Sequence, residues 1–251
     1  MINEFHYQTR GRGHEKNNTR GQDRTAFVSR NGIRVICLAD GAGSASHSEY
    51  GAQAVVREAC EILVREFQNL TTSNDADGCR KLVLNALLAR LREIAERRSC
   101  AVKDLASTLL AVAISDDRFV ALHVGDGVIG MLRNDETIVV SHPENDEFSN
   151  TTTFVTSSRA YENMDIIRGK LDGVNGFILM SDGAAWSLYN NKLKQLAPRV
   201  RFWIETVASA PTYHTRNPKW KKDLRASIET EIKTLTKDDC SIGILALRNK
   251  S

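Results

Sequence analysis

The chain has little proline, few aromatic residues and no long apolar run. Only four prolines occur in 251 residues and no Pro/Ser/Gly-rich stretch divides them, so a string of linked modules is excluded and a single domain of ordinary size is expected over 1–251. No apolar stretch approaches the roughly 18 residues of a membrane-spanning helix, and the polar start Asn3-Glu4-Phe5-His6 lacks a signal-peptide core. A soluble, cytoplasmic protein without a membrane partner is the expectation. The five cysteines (Cys37, Cys60, Cys79, Cys100, Cys240) form no C-x-x-C pair, which argues against a disulfide framework and against a zinc site. Cys37 and Cys60 sit in apolar patterns and read as small buried hydrophobes. Cys240 adjoins Asp238-Asp239, where a carboxylate field suppresses the thiolate, so a cysteine nucleophile is not expected. A net charge of +3 with no aromatic–basic stripe gives no case for nucleic acid as a partner.

What is present is a recurring placement of aspartate. Asp40 follows the apolar run Ile33–Ala39, Asp126 follows Phe119–Gly125, and Asp182 follows Phe177–Ser181; each is itself followed by glycine. Asp238, paired with Asp239, precedes Ser241–Leu247. Any one Asp-Gly after a strand reads as a turn. Four acids at the ends of strand-like runs predict something more, because neighbouring strands of one core would bring the carboxylates to a single rim. Carboxylates on one rim need a compensating cation, and oxygen donors without thiolate or imidazole companions suit magnesium or manganese.

The order of these motifs, with Gln22-Asp23 ahead of them, resembles the metal-dependent protein phosphatases of the 2C type. The matching text is Gln22-Asp23, Asp40-Gly41-Ala42-Gly43, Gly125-Asp126, Ser181-Asp182-Gly183 and Asp238-Asp239-Cys240-Ser241. It runs from about His14 to the C-terminus and is most similar to a compact bacterial branch, through Gly11-Arg12-Gly13-His14, Ala39–Ser44 and Asp104–Leu109. The resemblance implies a serine/threonine protein phosphatase in which a water bridging two Mn2+ or Mg2+ ions attacks the phosphorus. It implies that Asp40 bridges both ions, the Gly41 carbonyl completes one sphere, and Asp182 and Asp238 bind the other ion. Asp23 would act on one ion directly or through water, and Asp126 would stand behind the ligands or hold a weaker third ion. Asp239 is expected as a solvated or hydrogen-bonding neighbour. The implied partner is a phosphorylated protein, the substrate of a cognate Ser/Thr kinase.

Two departures bear on catalysis. Many family members carry His two residues after the first metal aspartate, where this chain has Ala42, and an Arg before the acid pair, where it has Asn17-Asn18-Thr19-Arg20. His14, Arg12 and Arg20 are the nearby substitutes: histidine suits protonation of a leaving alkoxide and arginine forks a phosphate. His47 reads as a helix cap and His123 as a structural strand residue. The alternative to catalysis is a silent 2C-like regulatory module, although such a module has no reason to keep mutually repelling acids. A metal nuclease is disfavoured by the weak basic character.

Periodicity predicts strands at Thr25–Ser29 and Arg34–Ala39, joined at Asn31-Gly32, and helices over Glu49–Phe67 and around Leu84–Ala95. The polar residues 69–78 read as the loop between those helices. A meander over 108–140, a strand at Phe177–Met180, helices at Arg201–Ala208 and Lys219–Leu235 and a last strand at Ile242–Leu247 complete the pattern. This order suits an α+β fold, and the resemblance implies an αββα sandwich of two mainly antiparallel sheets flanked by helix pairs. Segment 141–173, with Phe148, Phe154 and Tyr161 spaced through it, is expected to be a loop-rich, substrate-facing flap. The basic residues from Arg199 to Lys222, including Lys219, Lys221 and Lys222, offer contacts to a protein partner, although a solvated helix face is the commoner reading.

Overall fold

Strands that are apolar on both faces need cover on both faces, and that requirement shapes this fold. The computed structural model describes residues 2–143, 152–211 and 218–248. The chain opens with β1 (Ile2–Thr9), α1 (Arg12–Lys16), β2 (Arg24–Arg30) and β3 (Ile33–Ala39). Two long helices follow, α2 (Ser48–Thr72) and α3 (Ala76–Arg98), then β4 (Leu109–Ser115), β5 (Arg118–Val124), β6 (Val128–Arg133) and β7 (Glu136–Ser141). The remainder is β8 (Asp165–Lys170), β9 (Val174–Met180), α4 (Asp182–Leu188), the short pair β10 (Tyr189–Asn190) and β11 (Gln195–Leu196), α5 (Pro198–Ser209), α6 (Lys219–Ser227) and β12 (Cys240–Leu247).

Two five-stranded sheets form, in the orders β1-β12-β9-β6-β7 and β2-β3-β4-β5-β8, with every pairing antiparallel. Side chains of period two divide each central strand between two cores. On β3, Val35, Cys37 and Ala39 pack against α2 and α3, while Ile36 and Leu38 face the other sheet. On β9, Phe177 and Leu179 enter the space between the sheets, while Ile178 and Met180 meet α4 and α5. Three apolar layers result, helix–sheet, sheet–sheet and sheet–helix. This is the αββα sandwich expected from the sequence. Among the described residues, no helix is long and apolar enough to cross a membrane.

Several elements differ from the sequence reading. Residues 69–78 are mostly helical: Leu70 is buried, Thr71 and Thr72 donate back to the carbonyls of Phe67 and Gln68, and only 73–75 connect α2 to α3. Asp75 caps α3 by accepting from the Gly78 N–H at 2.8 Å. The N-terminal residues form a strand, β1, on the edge of the first sheet. Segment 141–173 contains β8, which pairs with β5; Phe148 lies outside the described residues. The late helix ends at Ser227 and continues as a wider turn at Ile228–Ile232 and a tighter one at Lys233–Leu235.

Candidate active site

The strand ends deliver their acids to one rim. Asp40 leaves β3, Asp126 lies in the turn between β5 and β6, Asp182 opens α4 after β9, and Asp238 stands just before β12. These four, with Gly41 and His14, line one pocket of about 370 Å3. The aspartates therefore sit in a shared concavity and are not separate turn formers.

Backbone contacts explain how each is held. Asp40 is clamped by Thr108, whose N–H donates to the Asp40 carbonyl at 2.8 Å and whose hydroxyl accepts from the Asp40 N–H at 2.9 Å. The Ala42 N–H donates to the Ala106 carbonyl, so Ala106-Ser107-Thr108 forms the shelf under the Asp-Gly-Ala-Gly loop. Gly41 is required by close approach: a Cβ there would lie 2.9 Å from the Cβ of Ser48 at the start of α2. Gly125, before Asp126, has φ +119°, and a Cβ would come within 2.5 Å of the Thr108 methyl. Thr152 donates to the Asp126 carboxylate at 2.6 Å.

Asp23 lies behind the pocket. It is 3% exposed, and neither of its carboxylate oxygens has a hydrogen-bond partner. Burial outweighs the nearby Asp40 and Ser241 side chains, which favour its charged form, and with added repulsion from Asp239 and Asp182 raises its pKa to about 7. Burial and repulsion from Asp238 and Asp126 raise that of Asp182 to about 6. Burial, then Asp23 and Asp182, push Asp40 well above the usual carboxylate range. Cys240 is pushed to about 12 by burial and the same acids, in line with an inert thiol.

Among the described residues, no three His, Cys, Asp or Glu side chains are drawn close enough to make a ready-built ligand set. The fit to a hard divalent cation rests on donor chemistry instead. Four aspartates and Gly41 line the pocket, and the buried oxygens of Asp23 call for either a proton or a cation.

Asp239 is the hydrogen-bonding neighbour rather than the solvated one of the two roles expected for it, with partners the sequence did not show. It is 1% exposed, so it is not solvated. It accepts from the Gly11 N–H at 2.6 Å, from the Gln22 N–H at 2.5 Å and from His14 Nδ1 at 2.8 Å. One carboxylate thus ties the loop after β1 to the loop before β2 and orients the histidine. The structure brings His14 to the pocket but not the two arginines. Arg12 is exposed and donates from Nε to the Thr236 carbonyl at 2.9 Å. Arg20 donates to the Tyr50 hydroxyl at 3.0 Å, beneath the Arg98 guanidinium stacked on that ring. It lines a neighbouring cavity together with Asp23 and Asp239. His47 occupies the position before α2 without a side-chain cap bond. His123 is buried among Ser141 and the Gly125 carbonyl, and burial lowers its pKa to about 4.

Comparison with known proteins follows the same outline. A Ser/Thr phosphatase of Escherichia coli (strain K12), serine/threonine-protein phosphatase 3, is 28% identical over 130 residues, 52% of this chain. The match spans about half (51%) of that relative's length. Among solved structures, a bacterial serine phosphatase superposes with a TM-score of 0.68 at 13% identity, covering 100% of both chains. The catalytic domain of the serine threonine protein phosphatase PstP, in complex with two manganese ions, superposes with a TM-score of 0.66 at 15% identity, covering 99% of each. Phosphatase Stp1 from Staphylococcus aureus gives 0.65 at 14% identity, covering 99% of this chain and 96% of that one. Identities this low speak for the fold alone. The Protein phosphatase 2C family profile, however, matches residues 10–227, most of the chain, and the protein belongs to that family.

Proposed function

We propose that the chain is a serine/threonine protein phosphatase that hydrolyses phosphoserine and phosphothreonine with two divalent ions, manganese or magnesium. The observation that carries this reading is the convergence of Asp40, Asp126, Asp182 and Asp238 on one pocket, with Asp23 buried behind it. Asp40, Asp182, Asp238, Asp23 and the Gly41 carbonyl would hold the ions, with Asp126 at a weaker third position. When bound, the ions supply an activated water and cancel the charge that would repel a phosphate dianion.

The chain's own residues then divide the remaining work. A serine alkoxide leaves poorly without a proton. With Nδ1 of His14 bonded to Asp239, Nε2 is the nitrogen left to donate one. Asp239 fixes the orientation of the ring. Arg12 and Arg20 do not line this pocket, so neither is assigned to the transferred phosphate. Thr152 and Phe154 lie on the pocket rim, which supports reading segment 141–173 as the flap that meets the protein substrate, the product of a cognate kinase.

The test is hydrolysis of an aryl phosphate and a phosphoserine peptide with manganese, with EDTA, and in Asp182→Asn. Activity is expected only with metal and the native aspartate. Full turnover by Asp182→Asn at saturating manganese would remove the reading.

A further inference from the structure

A second and larger cavity adjoins the acid pocket. It measures about 760 Å3 and shares Asp126 and Asp182 with that pocket, then runs past Trp186 and Tyr189 to Leu196 and Pro198. Trp186 lies on α4 four residues after Asp182, so the two share one helix face about 6 Å apart along the axis. Its neighbours Ala184, Ala185 and Leu188 are buried in the core beneath the sheet, whereas Trp186 is 78% exposed. The tyrosine beside it is held by its hydroxyl to His142 Nδ1 at 2.7 Å. An unburied indole and an anchored phenol on one groove wall are the aromatic contacts typical of recognition surfaces.

We propose that this groove binds the peptide flanking the phosphorylated residue, with Trp186 packing on an apolar side chain two to three positions away. The inference rests on the phosphatase reading above. The occupant follows from the continuity of the two cavities: a phosphate presented to Asp182 leaves its peptide at the mouth of the groove. An extended chain advances about 3.3 Å per residue, so the helix turn from Asp182 to Trp186 corresponds to about two residues of substrate. A small aryl phosphate fills the acid pocket without reaching the indole. Trp186 is thus a specificity residue whose contribution scales with the substrate's flanking sequence.

The experiment uses the full chain with manganese and three substrates: an aryl phosphate, and two phosphoserine peptides differing only in leucine or alanine at the second and third positions on either side. The wild-type chain is expected to favour the leucine peptide by roughly tenfold in kcat/KM, mainly through KM. In Trp186→Ala this preference and the ratio of leucine-peptide to aryl-phosphate turnover fall together, and Trp186→Phe restores most of both. Parallel loss on all three substrates, or an unchanged peptide preference, overturns the proposal. Self-association of the wild-type chain that Trp186→Ala abolishes in sedimentation also overturns it, because the indole would then be a subunit contact. Wild-type turnover of the aryl phosphate without peptide discrimination refutes this inference alone; no turnover of any substrate refutes the phosphatase reading and this inference with it.

Discussion

Asp23→Asn separates what the acid cluster costs the fold from what it does for metal. A carboxyl whose pKa rises from 3.8 unfolded to about 7 folded binds more protons in the native state than in the unfolded one. Metal-free stability therefore falls as pH rises from about 4 to about 7 and is level beyond. At 1.36 kcal/mol per tenfold change in proton affinity, the loss approaches about 4 kcal/mol. The residue is fully buried, so solvent screening does not reduce this figure much. Asparagine of the same shape carries no charge to desolvate. In urea titrations with EDTA, Asp23→Asn should match the native protein near pH 4 and exceed it at pH 8 by up to about 4 kcal/mol, or roughly 10 °C in Tm for a chain of this length. With saturating manganese the order should shrink or invert, because the variant has lost a ligand oxygen. A stability difference that does not vary between pH 4 and 8 would refute the account of Asp23 as a strained, orphaned acid. So would a metal-free variant less stable than the native chain at pH 8.

Two further outcomes follow from the site. Manganese at about 100 times its Kd should add roughly 2.7 kcal/mol, 5–10 °C in Tm, and calcium should add less because its larger radius and higher coordination suit the pocket less well. If calorimetry detects no divalent binding at millimolar concentration, the regulatory-module reading replaces the enzymatic one. His14→Ala should lower phosphoserine-peptide turnover by roughly 10²-fold and aryl-phosphate turnover far less, since a phenolate leaves without a proton; equal, few-fold effects on both substrates would remove His14 from the chemistry.

The central strands were legible because they are written as apolar runs, and the acids because each stands at the end or the start of such a run; the sandwich arrangement of the two sheets came from the family resemblance, since the pattern alone suits other α+β layouts. β1 was not legible. Asn3-Glu4 breaks the alternation between Ile2 and the pair Phe5 and Tyr7, so the segment lacks a sustained period of two and reads as a tail until the pairing with β12 is known. Pairing of residues more than 200 positions apart leaves no local trace. The partners of Asp239 were hidden for the same reason, since Gly11, His14 and Gln22 are brought to it only by the closing strand.

The placement of Arg12 and His14 shows where motif proximity stops being informative. Both were drawn to the site as substitutes, ahead of Gln22-Asp23, for family residues this chain lacks, yet both fall in α1 and two residues apart. A helix turns about 100° per residue, so positions i and i+2 point to nearly opposite sides. The segment can present His14 to the acids or Arg12, but not both. Anchoring decides between them: the Gly13 N–H donates to the Lys237 carbonyl at 2.8 Å, and a Cβ at Gly11 would stand 2.3 Å from the Asp238 carbonyl. With the turn pressed that closely onto the segment carrying Asp238 and Asp239, His14 meets the buried carboxylate, and Arg12 is left outside on Thr236. Helical geometry over Arg12–Lys16 thus makes Arg12 and His14 alternatives, and with Arg20 bonded to Tyr50, His14 is the one of the three candidates that lines the pocket of Asp40, Asp126, Asp182 and Asp238.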